Sequence, residues 1–350
     1  MNLLNDSARR RGAVLFALGL ALLLALGASL AFGAAPLPLE SIWLGLTGRG
    51  DALPPVEQTV LFSLRLPRAL GGVVVGAVLG LCGAGMQGLF RNPLADPGLI
   101  GVTGGAALGA VLCVKFAAAL LAGVSVILGQ LALPACALTG ALLATAAMHR
   151  ASILEGRVVV ALMLLAGVGI NALSGAGTGL VLFFADDDQL RQFTFWTLGS
   201  LAQVSWPKLA AALPFLLPAA LLVPLHARAL NALLLGESEA GHLGVDLARL
   251  KRHLVFATAA GVGAAVSIAG GIGFIGLVVP HLVRQTLGPD HRWLLPASAL
   301  LGAALLLAAD LLARTLAAPA ELPVGVVTAA LGAPVFFSLL RRGRRDRVLA

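Results

Sequence analysis

Long stretches without a single charged residue set the first limit on this chain. Residues 12–35, 69–90, 98–114, 116–148, 158–185, 209–225, 254–280, 293–309 and 322–340 contain no Asp, Glu, Lys or Arg. A helix of roughly 17–25 apolar residues crosses the hydrocarbon core of a bilayer, and each of these stretches is near or above that length. The run Gly270-Gly271-Ile272-Gly273 should break the stretch 254–280, leaving a short helix over about 274–287 as a separate element. The count is then about ten helical spans, an all-α polytopic membrane protein.

Composition closes off the alternatives. The chain of 350 residues is 59% hydrophobic and only 11% charged, against about a quarter charged in ordinary soluble domains. A soluble fold of this size could not bury that much apolar surface. Disorder is excluded for the same reason, and a membrane β-barrel would show short alternating segments instead of unbroken runs. Residues 12–35 follow Arg9-Arg10-Arg11 as a signal peptide would, and Ala34-Ala35 resembles a cleavage site, but the run is too long for a signal core and reads as an uncleaved first span. No second domain or long linker is visible, so residues 1–350 form a single transmembrane domain.

Placing both termini in the cytoplasm puts 17 of the 24 basic residues inside. These include Arg91, Arg150, Arg157, Arg228, Arg249, Lys251, Arg252, Arg284, Arg292 and the run Arg341 to Arg347. Only Arg49, Arg65, Arg68, Lys115, Arg191, Lys208 and Arg314 remain outside, an asymmetry that follows the positive-inside rule. The terminal arginines then face anionic lipid, not nucleic acid.

Several chemistries are missing. Asp310 is the main ionisable residue inside a span, whereas ion-coupled transporters need carboxylates or His near the midplane. The six His show no metal-ligand spacing, and Cys82, Cys113 and Cys136 form no Cys-x-x-Cys pair and read as packing residues. No phosphate-binding Gly-rich loop with Lys is present, so the chain itself has no ATP site of that kind. Gly271, Gly273 and Gly276 spell G-x-G-x-x-G, but at membrane depth in an all-helical chain rather than between a strand and a helix. A secondary transporter or an intramembrane enzyme stays a remote alternative.

Small residues carry a pattern. Gly72, Gly76, Gly80 and Ala84 share one face of the second span and favour close helix packing. Gly167, Gly169, Asn171, Ser174, Gly175, Gly177 and Gly179 crowd the fifth span, where either tight packing or a smooth wall for a large ligand would explain the loss of helix propensity. The inside segment 236–250, GESEAGHLGVDLARL, is short, amphipathic and helical in pattern, suited to docking into a groove on a partner.

A set of motifs in order extends these readings. It runs through Arg65-Leu66-Pro67-Arg68, Met86-Gln87, Arg91-Asn92-Pro93-Leu94-Ala95-Asp96-Pro97-Gly98 and Phe195 to Ser200. It continues through GGIGFIGLVVPHLVR (270–284), Gly288 to Arg292, Ala309-Asp310 with Arg314, and Glu321 to Gly325. This series, spanning about 12–340, closely resembles the FecCD-type permeases of ABC importers for iron-siderophores, heme and vitamin B12.

The resemblance implies a type II ABC importer permease in the inner membrane with ten helices per subunit. It implies a second permease copy in a homodimer, two ATP-binding cassette subunits and a periplasmic substrate-binding protein. It also implies alternating access along a pathway at the dimer interface, lined largely by the fifth span, where Gly167, Asn171, Gly175 and Gly179 lie. No catalytic residue, metal site or cofactor is expected on this chain, ATP and Mg belonging to the partner ATPase. Arg65, Arg68 and Arg314 match positions that hold carboxylates of the binding protein, the alternative being lipid anchoring or pairing with Asp310 or Glu321. Asn92 and Leu94 match a cytoplasmic gate. Glu239, Gly241, Leu243 and Gly244 match the helices that couple to the ATPase. Val160-Ala161-Leu162 departs from the hydroxyl-bearing second constriction of vitamin B12 permeases. The cargo implied is an iron chelate, heme ahead of a ferric siderophore or vitamin B12, with the 288–340 region resembling heme permeases.

Overall fold

The computed structural model describes residues 2–33, 37–117 and 125–348. Fourteen helices concern the argument. They are α1 (Asn2–Ala31), α2 (Leu39–Leu46), α3 (Leu66–Phe90), α4 (Val102–Lys115), α5 (Val126–Ala151), α6 (Val160–Phe183), α7 (Asp187–Thr197), α8 (Trp206–Leu225), α9 (Ala227–Leu233), α10 (Glu237–His242), α11 (Leu247–Ala269), α12 (Ile275–Leu287), α13 (His291–Thr315) and α14 (Val324–Val348). Among the described residues, seven helices are long and apolar enough to cross a membrane, α4 and the first part of α14 are shorter apolar helices, and the 13-residue α12 is a further short helix. The expected all-α, roughly ten-helix architecture is the one observed.

The centre of the bundle is α3. Its small residues are there because other helices come too close for side chains. A Cβ added at Gly76 would strike the Gly302 carbonyl, one at Gly80 the Ser298 carbonyl, and one at Gly83 the Gly276 carbonyl. The four-residue spacing is therefore a seam where α13 and α12 lie against α3 backbone to backbone, and dispersion at that distance replaces the hydrophobic drive that lipid cannot supply. By contrast α1 and α6 leave most of their surface uncovered, with Phe16, Leu23, Leu165, Leu173 and Phe183 exposed. Those faces suit lipid or another protein surface.

Three sequence boundaries shift. The second span begins at Pro55, not near residue 69, because a wide π-turn over Thr59–Arg65 runs without a break into α3, and Arg65 and Arg68 along it are met by partners within the chain. The segment 236–250 is not one helix: α10 stops at His242, Gly244 turns at a φ of 83°, and α11 starts under the Asp246 cap, whose carboxylate accepts the Arg249 amide at 2.9 Å. The break at Gly270 falls where expected. Gly270 has a φ of 72°, and a Cβ there would also strike the Trp196 carbonyl, so this turn needs glycine for both conformation and space. Ala34 and Ala35, and the arginine side chains of 341–347, lie outside the described residues.

Candidate functional site

One end of the bundle gathers charge that the apolar helices could not otherwise carry. Arg68 donates from Nε and Nη2 to both oxygens of Asp310 at 2.9–3.1 Å, and from Nη1 to Glu321 at 2.9 Å. The Asp310 side chain is 1% exposed. Arg314 sits one turn on, its Nε 3.6 Å from Asp310, while its Nη2 donates to the Ser29 carbonyl at 2.7 Å and to Ser29 Oγ at 3.0 Å. Arg65 Nη1 donates to the carbonyls of Leu30 and Ala31. Those carbonyls end α1 and lack an intrahelical partner, so the guanidinium completes them.

The structure thus gathers Arg65, Arg68 and Arg314, the residues expected to dock a binding protein, into one internally bonded cluster. The Arg65 and Arg314 side chains are buried and donate to carbonyls at the end of α1. The alternative of pairing with Asp310 and Glu321 is the arrangement found for Arg68. The three arginines tie α1, α3, α13 and the Glu321 loop together at this end.

Three short elements converge near the middle of the bundle. The turn Pro97–Ile100 precedes the 14-residue α4, the loop Gly270–Phe274 precedes the 13-residue α12, and α7 ends at Thr197. At 1.5 Å per residue neither α4 nor α12 spans the core alone, so their N-termini lie inside the bundle. Between the Pro97 turn, α4, α6 and α7 opens a cleft of about 550 Å³ lined by Asp96, Thr103, Asn171, Gly175, Thr178 and Thr197, among others. Asp96 accepts the Gly98 amide at 2.7 Å, and Asn171 Nδ2 donates to the Gly98 carbonyl at 3.1 Å. Asn171 therefore fixes the turn as well as lining the cleft.

The glycines of α6 divide into two groups. A Cβ at Gly167 would strike the Leu99 carbonyl, so this glycine, expected in a pathway wall, is needed for packing against the Pro97 turn. Gly177 faces Leu108 at 3.1 Å. Gly169, Gly175 and Gly179 have no atom within 4 Å of an added Cβ. The open group occupies the uncovered face of the helix.

The opposite end holds the motifs expected for gating and coupling. Asn92 Oδ1 accepts the Leu94 amide at 3.0 Å, closing an Asx turn that leaves both residues exposed after the left-handed Arg91 (φ 51°). Glu239, Gly241, Leu243 and Gly244 are all exposed on α10 and the turn after it, while Ala240 alone is buried. The segment is braced from behind. Lys251 Nζ donates to Glu237 at 2.8 Å and to the Val158 carbonyl at 3.0 Å, joining α10 and α11 to the hairpin Ile153–Leu154/Arg157–Val158. Asn231 links α9 to α13 by donating to Asp290 at 2.7 Å and accepting the His291 amide at 2.8 Å. Neither brace was visible from spacing, although Asn231 and Lys251 flank the segment and Glu237 lies within it.

Among the described residues no group of three or more His, Cys, Asp or Glu could hold a metal ion.

Comparison with known proteins gives the same outline. The FecCD transport family matches residues 21–342. The hemin transport system permease protein HmuU of Yersinia pestis is 47% identical over 335 residues, 95% of this chain and 96% of that protein. The vitamin B12 import system permease protein BtuC of Vibrio cholerae is 44% identical over 295 residues, covering 83% and 86% of the two chains. The cobalamin import system permease protein BtuC of Halobacterium salinarum is 43% identical over 289 residues, covering 83% and 75%. A solved structure described as an inward-facing conformation of a metal-chelate type ABC transporter superposes with a TM-score of 0.80 at 33% identity, covering 95% of this chain and 99% of that one.

Proposed function

The chain belongs to the FecCD transport family, a multi-pass membrane permease of the ABC class, and on that premise we propose that it imports hemin. The observation that carries hemin ahead of cobalamin is the 47% identity to a hemin permease maintained over 95% of the chain. The mid-bundle cleft and the bare face at Gly175 and Gly179 support passage of a large ligand, since a wall without side chains admits bulk.

In this reading two copies face each other across α6, two ATP-binding cassette subunits bind the end that carries Asn92 and α10, and a binding protein delivers cargo to the Arg68–Asp310 end. Both termini are cytoplasmic. Asn92 and Leu94 form the inner gate, Asn171, Gly175 and Gly179 line the pathway, and Glu239, Gly241, Leu243 and Gly244 meet the ATPase. ATP binding and hydrolysis on the partner bias the permease between outward- and inward-open states, and this chain supplies only the differential contacts. The chain itself performs no chemistry and binds no cofactor.

The test is uptake in proteoliposomes holding the permease, its ATPase and its binding protein. Hemin accumulation that needs ATP supports the reading. Accumulation of cobalamin with hemin refused would replace hemin with the other cargo of this family. Uptake driven by an ion gradient without the ATPase would overturn the whole assignment.

A further inference from the structure

The helix α7 separates two cavities. Phe193 and Thr197 line the mid-bundle cleft, while Asp188, Arg191, Gln192, Phe195 and Trp196 line a second, larger cavity of about 600 Å³. The residues of that second face recur at i, i+3, i+4, i+7 and i+8, one side of an 11-residue helix. The remaining wall comes from the start of α5 at Gln130, Lys208 of α8, the end of α11 and the Glu321–Pro323 loop. This cavity is at the Arg68–Asp310 end of the bundle, since Glu321 is shared by both.

Its charges are unevenly committed. Glu321 is held by Arg68. Lys208 Nζ donates only to the Gln203 carbonyl, at 3.0 Å. Among the described residues Arg191 makes no ion pair, and Asp188 likewise has none. Two cations and one carboxylate are thus left for a ligand. Beside them Trp196 is held nearly parallel to Phe193, with ring centroids 6.0 Å apart and an interplanar angle of 23°, and Phe195 is exposed. Fixed aromatic surface beside free cations is the chemistry that holds a flat ring bearing carboxylates.

We infer that this cavity is a receiving site for a planar aromatic carboxylate, in which Arg191 and Lys208 hold the acid groups and Phe195 and Trp196 contact the ring. The inference deepens the hemin reading and rests on it. Hemin, a flat ring with two carboxylates, would occupy the cavity after release by the binding protein and before α7 yields to the cleft behind it.

The test uses the full permease in nanodiscs, titrated with hemin and with hemin dimethyl ester against empty nanodiscs, reading tryptophan quenching and the hemin absorption band. Arg191→Gln with Lys208→Gln should weaken hemin binding about tenfold or more. The ester should bind the unaltered protein as weakly as hemin binds the double variant. Equal affinity of acid and ester, or hemin affinity untouched by the double substitution, overturns the site. Uptake in proteoliposomes separates the two levels. Hemin transport that is intact in both the unaltered importer and the double variant leaves the hemin reading standing and removes the receiving site. An unaltered importer that moves only a carboxylate-free chelate removes the reading on which the site depends.

Discussion

Arg68 and Asp310 lie 242 positions apart in sequence and meet through three hydrogen bonds of 2.9–3.1 Å, with Asp310 almost wholly buried. A fork donating to both carboxylate oxygens is the strongest geometry available to such a pair. Removing either partner strands the other charge in a low-dielectric site, at a cost of about 3–5 kcal/mol. Arg68→Ala and Asp310→Ala should each lower the unfolding midpoint sharply in detergent. The double variant should lose much less than the sum, because neither charge is then left alone. Additive losses in a double-mutant cycle would show that the pair is not the unit that holds α3 to α13.

The glycines allow a sharper discrimination between packing and pathway. Gly83→Ala and Gly167→Ala should both cost folded protein, because each Cβ would enter a backbone carbonyl, of Gly276 and of Leu99 respectively. Gly175→Leu and Gly179→Leu should leave thermal stability nearly unchanged, since nothing lies within 4 Å of either Cβ. They should still cut hemin uptake severalfold if α6 faces its partner across the pathway. Stability and uptake falling together at Gly175 would assign that face to packing between subunits.

How far the sequence carried these readings depends on the range of the interaction. Span number, the Gly270 break and the small-residue seam are local patterns, set by helix period, apolar length and the absence of Cβ atoms, and all could be read from spacing. The fate of Arg65 and Arg314 could not. They stood out as exceptions to the charge asymmetry, and only the family resemblance implied a partner outside. In the structure they donate to carbonyls at the end of α1, some 34 and 285 positions away, and no periodicity reports a carbonyl. Gly167 and Gly175 look alike in sequence for the same reason. Only the Pro97 turn packed against one of them distinguishes the two.

Asp290 provides a pH test at the end that carries α9 and α10. Its carboxyl is held well below the usual carboxylate range, first by the Arg292 side chain, then by hydrogen bonds from Asn231 and the Arg292 amide. A folded-state value below the unfolded one adds stability above the ordinary carboxylate pKa of about 4, and that stability is lost as the pH falls toward the folded value. Asp290→Asn should therefore lower the unfolding midpoint at pH 7, and the gap to the unaltered protein should narrow below about pH 4. A gap independent of pH would mean that the amide loses only the cap and not the charge.

The exposed turn at Gly241 to Gly244 tests coupling. Residues Glu239, Gly241 and Leu243 face outward, whereas Ala240 packs inward and Lys251 ties Glu237 to the hairpin. A rigid mount with an apolar tip is what transmits displacement from a partner subunit, because a floppy one would absorb it. Gly241 has open space around it, so Gly241→Trp adds bulk without disturbing the fold of this chain. It should obstruct the ATPase groove and reduce both binding-protein-stimulated ATP hydrolysis and transport by about tenfold or more, the loss expected when a central interface position is overfilled. Glu239→Lys should act in the same direction but less strongly, as a charge at an interface rim does. Lys251→Met should give a third signature. The ATPase would still bind, but with its brace to Val158 gone the turn should yield, so hydrolysis would continue while transport falls. Transport unchanged in Gly241→Trp, with the ATPase still bound, would place the coupling surface elsewhere on this face.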